Sequence, residues 1–189
     1  MDIVVVGSGL AGLTAALEAA RLGADVTVLT AAQALSGSSI LAQGGLAAAI
    51  GADDSVDLHV RDTLAVGGGL SDVSAVRVLA DQGRQAAFAL LAAGEPFDRR
   101  DGQPELALEA AHSRRRVLHG GAGATGYSLT AWRLEQVLAQ PQIRVVSQSP
   151  ADELLLDGGR VAGVRAAGVS YRGRAVILAS GGYAALWAR

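Results

Sequence analysis

Ile3-Val4-Val5-Val6-Gly7-Ser8-Gly9-Leu10-Ala11-Gly12 stands near the start of this chain of 189 residues, and its reading decides the fold. The β-branched run Ile3 to Val6 suits a buried strand, and Leu10 to Leu22 follows with apolar residues at helical spacing. Strand, glycine turn and helix in that order are what a pyrophosphate needs. Gly7 makes the sharp turn, a missing side chain at Gly9 lets backbone approach the phosphates, and Gly12 lets the helix pack closely on the strand. Free N–H groups and the positive dipole end of the helix then face the anion. In a chain with 25 glycines the G-x-G-x-x-G spacing by itself is weak. A turn that merely packs a helix on a sheet is its plain structural reading. The position between a β-branched run and an alanine-rich helix favours a nucleotide site.

Outward from this segment, Gly23 is a suitable helix stop, and Val26 to Leu29 supplies a second strand that completes a βαβ unit. Ala31 to Gly51 is small, polar and glycine-containing, long for a plain connector. It suits a loop laid against a ligand. Asp53 or Asp54 is expected to cap a helix carrying Val56, Val60 and Leu64, broken by Gly67-Gly68-Gly69. Ser71 begins another, with Val78, Leu79, Phe88 and Leu91 on its apolar side and Gly94-Glu95-Pro96 as terminator. Residues 98 to 126 are polar and glycine-rich, and hold His112, His119 and Arg114-Arg115-Arg116. A helix from about Ser128 to Gln140 is stopped by Pro141. Strands are expected at Ile143 to Val146, Glu153 to Leu156, Val161 to Arg165 and Ala175 to Leu178, with Asp157-Gly158-Gly159 as a hairpin turn. The pattern predicts an α/β fold, Rossmann-like, with a central parallel sheet, helices on its faces and a small β-hairpin or meander. No repeat or linker divides the chain, so residues 1 to 189 read as one domain.

Half the residues are hydrophobic and 18% are charged, a composition for a compact core rather than disorder. A net charge of −2 provides no basic footprint for nucleic acid. All 16 basic residues are arginine, which excludes a Walker-type lysine and a lysine Schiff base. The absence of cysteine excludes disulfides, thiol nucleophiles and cysteine-held metal. His59, His112 and His119 are too widely spaced for a helical i, i+4 metal pair, so no metal is expected. No stretch has the unbroken apolar length of a membrane span, and the chain is expected to be cytoplasmic.

Four segments carry a resemblance to a known family. Gly7 to Gly12, Ser38-Ser39-Ile40-Leu41-Ala42-Gln43-Gly44-Gly45-Leu46-Ala47-Ala48, Asp54 to Leu64, and His112-Ser113-Arg114-Arg115-Arg116-Val117-Leu118-His119 together resemble the L-aspartate oxidase family. That family lies within the succinate dehydrogenase and fumarate reductase flavoproteins. The similarity runs in order along essentially the whole chain but covers about the front third of a typical member. The capping domain, the closing flavin-domain segments and the helical C-terminal domain are expected to be absent. Apolar surface uncovered in this way would promote self-association.

The resemblance implies FAD as cofactor, with contacts at Gly7, Gly9, Leu10, Ala11, Gly12, Thr30, Ser38, Ser39, Gln43, Gly44, Gly45, Ala151, Ala179, Ser180, Gly181 and Gly182. Gln43, Gly44 and Gly45 would lie beside the isoalloxazine, where N–H donors favour the anionic reduced flavin. Membrane-bound relatives carry a histidine that bonds covalently to the flavin; Ser38 stands there, so the FAD is expected to be noncovalent. At the end of the second strand, where dinucleotide folds usually place an acid for the ribose, the chain has Thr30. Two further departures are Ala110-Ala111, where the family commonly has Gly-Gly, and Gly123, where it has an aspartate.

The implied reaction is oxidation of L-aspartate to iminoaspartate, in NAD biosynthesis by way of quinolinate, with O2 or fumarate as oxidant. Glu109 corresponds to the carboxylate near the substrate amino group, and His112, Arg115, His119 and Thr125 are candidates for the substrate loop. The plain alternatives are an exposed glutamate, satisfied structural histidines, a small donor in a tight turn, and an arginine triplet forming a solvated or phosphate-facing edge. The family's main substrate arginines come from sequence this chain lacks, so the chain alone is expected to be inactive. A fumarate reductase or succinate dehydrogenase flavoprotein, an NAD-dependent dehydrogenase and a noncatalytic flavin-binding remnant are the rival readings.

Overall fold

A computed structural model describes residues 2–182. They fall into two compact units, residues 2–41 with 129–182, and residues 42–128. In chain order the elements are β1 Asp2–Val6, α1 Leu10–Arg21, β2 Asp25–Leu29, α2 Ser38–Leu41, β3 Leu46–Ala47, α3 Val56–Val66, α4 Val73–Ala92, β4 Arg99–Arg100, β5 Gln103–Pro104, β6 Leu106–Ala107, β7 Val117–Leu118, α5 Thr125–Leu138, β8 Ile143–Val146, β9 Ala151–Asp157, β10 Arg160–Ala166, β11 Val169–Arg172 and β12 Ala175–Leu178.

The first unit is built on a parallel sheet of order β12-β1-β2-β8. Successive side chains of a strand point to opposite faces, and β1 uses both for burial. Val5 joins Leu13, Ala16 and Ala20 of α1, Val28 of β2 and Val137 of α5 in one core, with Ile3 packed against it. Val4 and Val6 join Leu29 and meet Val164 and Ala166 of β10 in the other. A parallel sheet covered on both faces reads as a continuous apolar run, which is why Ile3 to Val6 shows no polar alternation. The covering layer beyond Val164 is an antiparallel meander of order β11-β10-β9. Its first turn, Gly158-Gly159, has positive φ at both residues, the two-residue hairpin geometry expected of Asp157-Gly158-Gly159.

The second unit pairs α3 with α4 around Val60, Val76 and Ala80, and carries a small antiparallel sheet of order β3-β7-β6. Here the sequence reading needs correction in two places. Asp54 does not cap α3; Ser55 does, its Oγ accepting from Leu58 N at 3.2 Å, because the Asp54 carboxylate is taken by Arg116. On α4 the expected apolar stripe is turned outward: Val78, Leu79 and Phe88 are exposed, whereas Val76, Ala80 and Ala87 are buried. The buried positions are small, so the larger residues dominated the periodic pattern while standing on the other side. Asp72, not Ser71, caps this helix by accepting from Ala75 N at 2.8 Å.

Candidate active site

The carboxyl ends of β1, β2 and β12 open on one cleft of about 660 Å³ within the first unit. Gly7 and Gly9 from the β1–α1 turn, Thr30 after β2, Ser38 and Ser39 of α2, Ala151 of β9, and Ala179, Ser180, Gly181 and Gly182 after β12 all line it. Ala11 lines it as well. The parallel strands need this glycine turn because the backbone is crowded: a Cβ on Gly7 would stand 2.2 Å from the Ala179 carbonyl oxygen. One on Gly12 would stand 1.9 Å from that of Gly7. The two glycine segments, distant in sequence, are thus in contact beneath the cleft, and Gly12 serves that packing from a buried position.

First-turn amides of a helix have no carbonyl partner of their own. Leu10 N donates to Ser39 Oγ at 3.2 Å, which ties α2 to the start of α1. Thr30, buried, lies with its Oγ1 2.9 Å from Ser8 Oγ, and the Ala34 carbonyl accepts from Ser8 at 2.9 Å. Among the described residues, none that lines the cleft is charged. Small residues, hydroxyls and backbone amides are a donor set for phosphates and ribose, and their lack of bulk leaves room for an extended nucleotide. Ser8, Ser36, Gly37, Ser149 and Pro150 also line the cleft and escaped the sequence reading. Ser36 and Gly37 lie in the segment expected to rest against a ligand but are not singled out in it, and Ser149 and Pro150 precede a strand with no local signal.

In the second unit, Gln43 and Gly44 are exposed. Gly45 has φ +74°, and a Cβ there would come within 2.5 Å of Val117 Cγ1 and 2.7 Å of the Leu118 carbonyl oxygen. Only glycine fits against β7 in that conformation. Glu109, His119 and Thr125 come together: Glu109 Oε1 is 2.8 Å from His119 Nε2, and Thr125 Oγ1 is 3.5 Å from His119 Nδ1.

The arginine triplet is not a uniform solvated edge. Arg115 is exposed and Arg114 half-buried, but Arg116 has no exposed surface. Arg116 stands directly before β7, whose Val117 and Leu118 are buried as well. Its Nε and Nη2 donate to the two oxygens of Asp54, each at 2.8 Å, and its Nη1 donates to Asp62 Oδ2 at 2.9 Å. Ser113 adds its amide at 2.8 Å and its hydroxyl at 2.7 Å to Asp62 Oδ2. Burial raises the pKa of the Asp62 carboxyl, but the Ser113 donors and the Arg116 guanidinium outweigh it and hold the group at about 2. His112 Nδ1 stands 3.4 Å from Arg116 Nη1, and its ring meets that of His59 edge-on at 5.9 Å. His59 is buried, with Nδ1 lacking a hydrogen-bond partner among the described residues. Burial first, and then the nearby Arg116 charge, push its pKa down. This hub anchors the segment that carries Glu109, and three adjacent arginines are its only trace in the sequence.

Parallel strands ending on an uncharged, glycine-floored cleft define an α/β protein built to hold a dinucleotide. A family model described as FAD binding domain matches residues 2–189, and the chain belongs to that family. FAD is therefore its cofactor, and the cleft's donors fit it. The chain is 47% identical to the L-aspartate oxidase of Caulobacter vibrioides over 98% of its own length and 38% of that protein. It is 44% identical to the L-aspartate oxidase of Streptomyces coelicolor, covering 86% of this chain and 28% of the relative. Its fold is that of the succinate dehydrogenase and fumarate reductase flavoproteins. The quinol fumarate reductase of E. coli superposes with a TM-score of 0.88 at 28% identity, over 96% of this chain and 32% of that one. The Sdh1 complex of Mycobacterium smegmatis gives 0.88 at 29%, over 96% and 34%. The chain thus spans between 28% and 38% of the length of these relatives, and no helix of its described residues is long and apolar enough to cross a membrane.

Proposed function

We propose that this chain is the flavin-holding part of an enzyme that oxidises L-aspartate to iminoaspartate, in the branch of NAD biosynthesis that makes quinolinate. The observation that carries this reading is the 47% identity with an L-aspartate oxidase along 98% of the chain, against 28% with a fumarate reductase. Gly7, Gly9, Ser39, Ser180 and Gly181 hold the pyrophosphate and ribose by amides and hydroxyls, and Gln43, Gly44 and Gly45 serve the isoalloxazine. FAD, when bound, supplies the acceptor for the hydride leaving the substrate α-carbon.

Glu109 accepts the substrate ammonium, which separates aspartate from succinate by one charge-assisted hydrogen bond. Arg115, exposed near the hub, is the cation available to a substrate carboxylate. Ser38 lacks the nucleophilic ring nitrogen of a linking histidine, so FAD is held without a covalent bond. The oxidant is O2 or fumarate, and the protein works in the cytoplasm. By itself the chain turns over no aspartate, since a dianionic substrate needs more fixed cations than this unit supplies.

The test is to co-express this chain with the remaining C-terminal part of the Caulobacter vibrioides relative and to measure peroxide release. Release with L-aspartate and not with succinate is expected from the pair, and none from the chain alone. Oxidation of succinate in preference to aspartate contradicts the substrate, and steady aspartate-dependent release from the chain alone contradicts its incompetence.

A further inference from the structure

The carboxylate proposed to receive the substrate ammonium is not a free surface side chain. Glu109 follows β6, and its carbonyl accepts from His112 N at 3.2 Å in a turn where Ala111 has φ +69°. The next residue, Ser113, is clamped to Asp62 by both amide and hydroxyl. The main chain around Glu109 is therefore held from the hub. Its side chain is held from the other direction, by His119 at the end of β7.

His119 itself has a backstop. Thr125 is buried, and its Oγ1 accepts from Gly120 N at 3.2 Å. A carboxylate only accepts, so the ring nitrogen facing Glu109 is the donor, and Nδ1 is left as an acceptor with the Thr125 hydroxyl 3.5 Å away to donate to it. A ring that accepts at Nδ1 carries its hydrogen on Nε2, and Nε2 is the atom 2.8 Å from Glu109 Oε1. Backbone amide, hydroxyl, imidazole and carboxylate form one directional row. Only Oε1 of Glu109 is engaged in it, leaving Oε2 to a ligand.

We propose that His119 is a positioning residue: its Nε2–H fixes the Glu109 carboxylate so that one oxygen faces an incoming primary ammonium, and Thr125 fixes the tautomer that makes this possible. The proposal rests on Glu109 being the ammonium acceptor, but its geometry is testable without flavin or substrate. A side chain held in one rotamer before the ligand arrives loses less entropy on binding.

The chain has three histidines, so side-chain 15N spectra of the intact protein labelled at histidine resolve each ring, with His119→Gln assigning its signal. The expected result is a slowly exchanging Nε2–H resonance for His119 that is kept in Glu109→Gln and Thr125→Ser, both of which retain an oxygen in place. It is expected to vanish in Glu109→Ala, and to broaden by at least severalfold in Thr125→Val. In the partner measurement on protein labelled at glutamate, the Glu109 Cδ signal moves in His119→Ala and is largely restored in His119→Gln, whose amide still donates. Far-UV circular dichroism confirms that each variant is folded. A His119 ring proton that is absent from the parent protein, or indifferent to Glu109→Ala in a folded variant, overturns the proposal. Loss of FAD binding would instead contradict the functional reading while leaving this row intact.

Discussion

Replacing Arg116 with methionine keeps most of the side chain's length and removes its charge. The guanidinium and its first partner Asp54 have no exposed surface, and Asp62 retains 10%. Three charge-assisted hydrogen bonds of 2.8, 2.8 and 2.9 Å disappear together, and two carboxylates are left close together and out of water. Breaking a buried pair from one side costs about 3–5 kcal/mol, which is a large share of the roughly 5–15 kcal/mol that stabilises a typical domain. Urea unfolding at pH 7, followed by circular dichroism, measures the loss. Adding Asp54→Asn to Arg116→Met removes one stranded charge, so the double variant is expected to be more stable than the sum of the single losses, by at least about 0.5 kcal/mol for residues in direct contact. A loss below about 1 kcal/mol for Arg116→Met, the range of exposed ion pairs, would refute the buried hub.

Stability is also expected to fall on acidification in two stages. His59 has a folded pKa below its unfolded value of 6.5, so the unfolded chain binds the extra proton first and stability drops as pH falls below 6.5; His59→Phe removes this stage. Asp62, held at about 2 against 3.8, contributes stability that is complete above 3.8 and lost as pH falls toward 2. Its stage vanishes in Asp62→Asn, and equal slopes in parent and variants would contradict both assignments. Gly12→Ala places a carbon 1.9 Å from the Gly7 carbonyl oxygen, and is expected to lower FAD affinity at least tenfold in a fluorescence titration; unchanged affinity would show that the turn yields freely. Exposed Leu70, Val78, Leu79 and Phe88 predict concentration-dependent self-association by light scattering, and a clean monomer at millimolar concentration would contradict it.

Much of the first unit was legible because its local signals agree with its packing. Ile3 to Val6 is β-branched and buried on both faces, Leu13, Ala16 and Ala20 share one side of α1, and Gly158-Gly159 turns a hairpin. Glycine segments at residues 7–12 and 179–182 also announced their meeting, since only small residues tolerate the contact between Gly7 and Ala179. What stayed hidden depends on partners far away in sequence. Asp54 reads as a helix cap until Arg116, 62 residues later, claims it. Arg116 reads as a solvated charge until Asp54 and Asp62 hold it inside, and α4 buries alanines where pattern reading favours Val78 and Leu79. Glu109, His119 and Thr125 were each visible as candidates, but their alignment required β7 and the turn after it.

If the cleft at the ends of β1, β2 and β12 cradles a flavin dinucleotide through hydroxyls and backbone amides rather than charges, its affinity for FAD depends little on salt. Titrating the purified apoprotein with FAD, at low and at high salt, tests it most directly. Expected are one FAD per chain, quenching of flavin fluorescence, less than a threefold change in affinity between 50 and 500 mM salt because no charged side chain among the described residues lines the cleft, and full release of the flavin by acid. Absence of binding, or flavin that stays with the acid-precipitated protein, would contradict it.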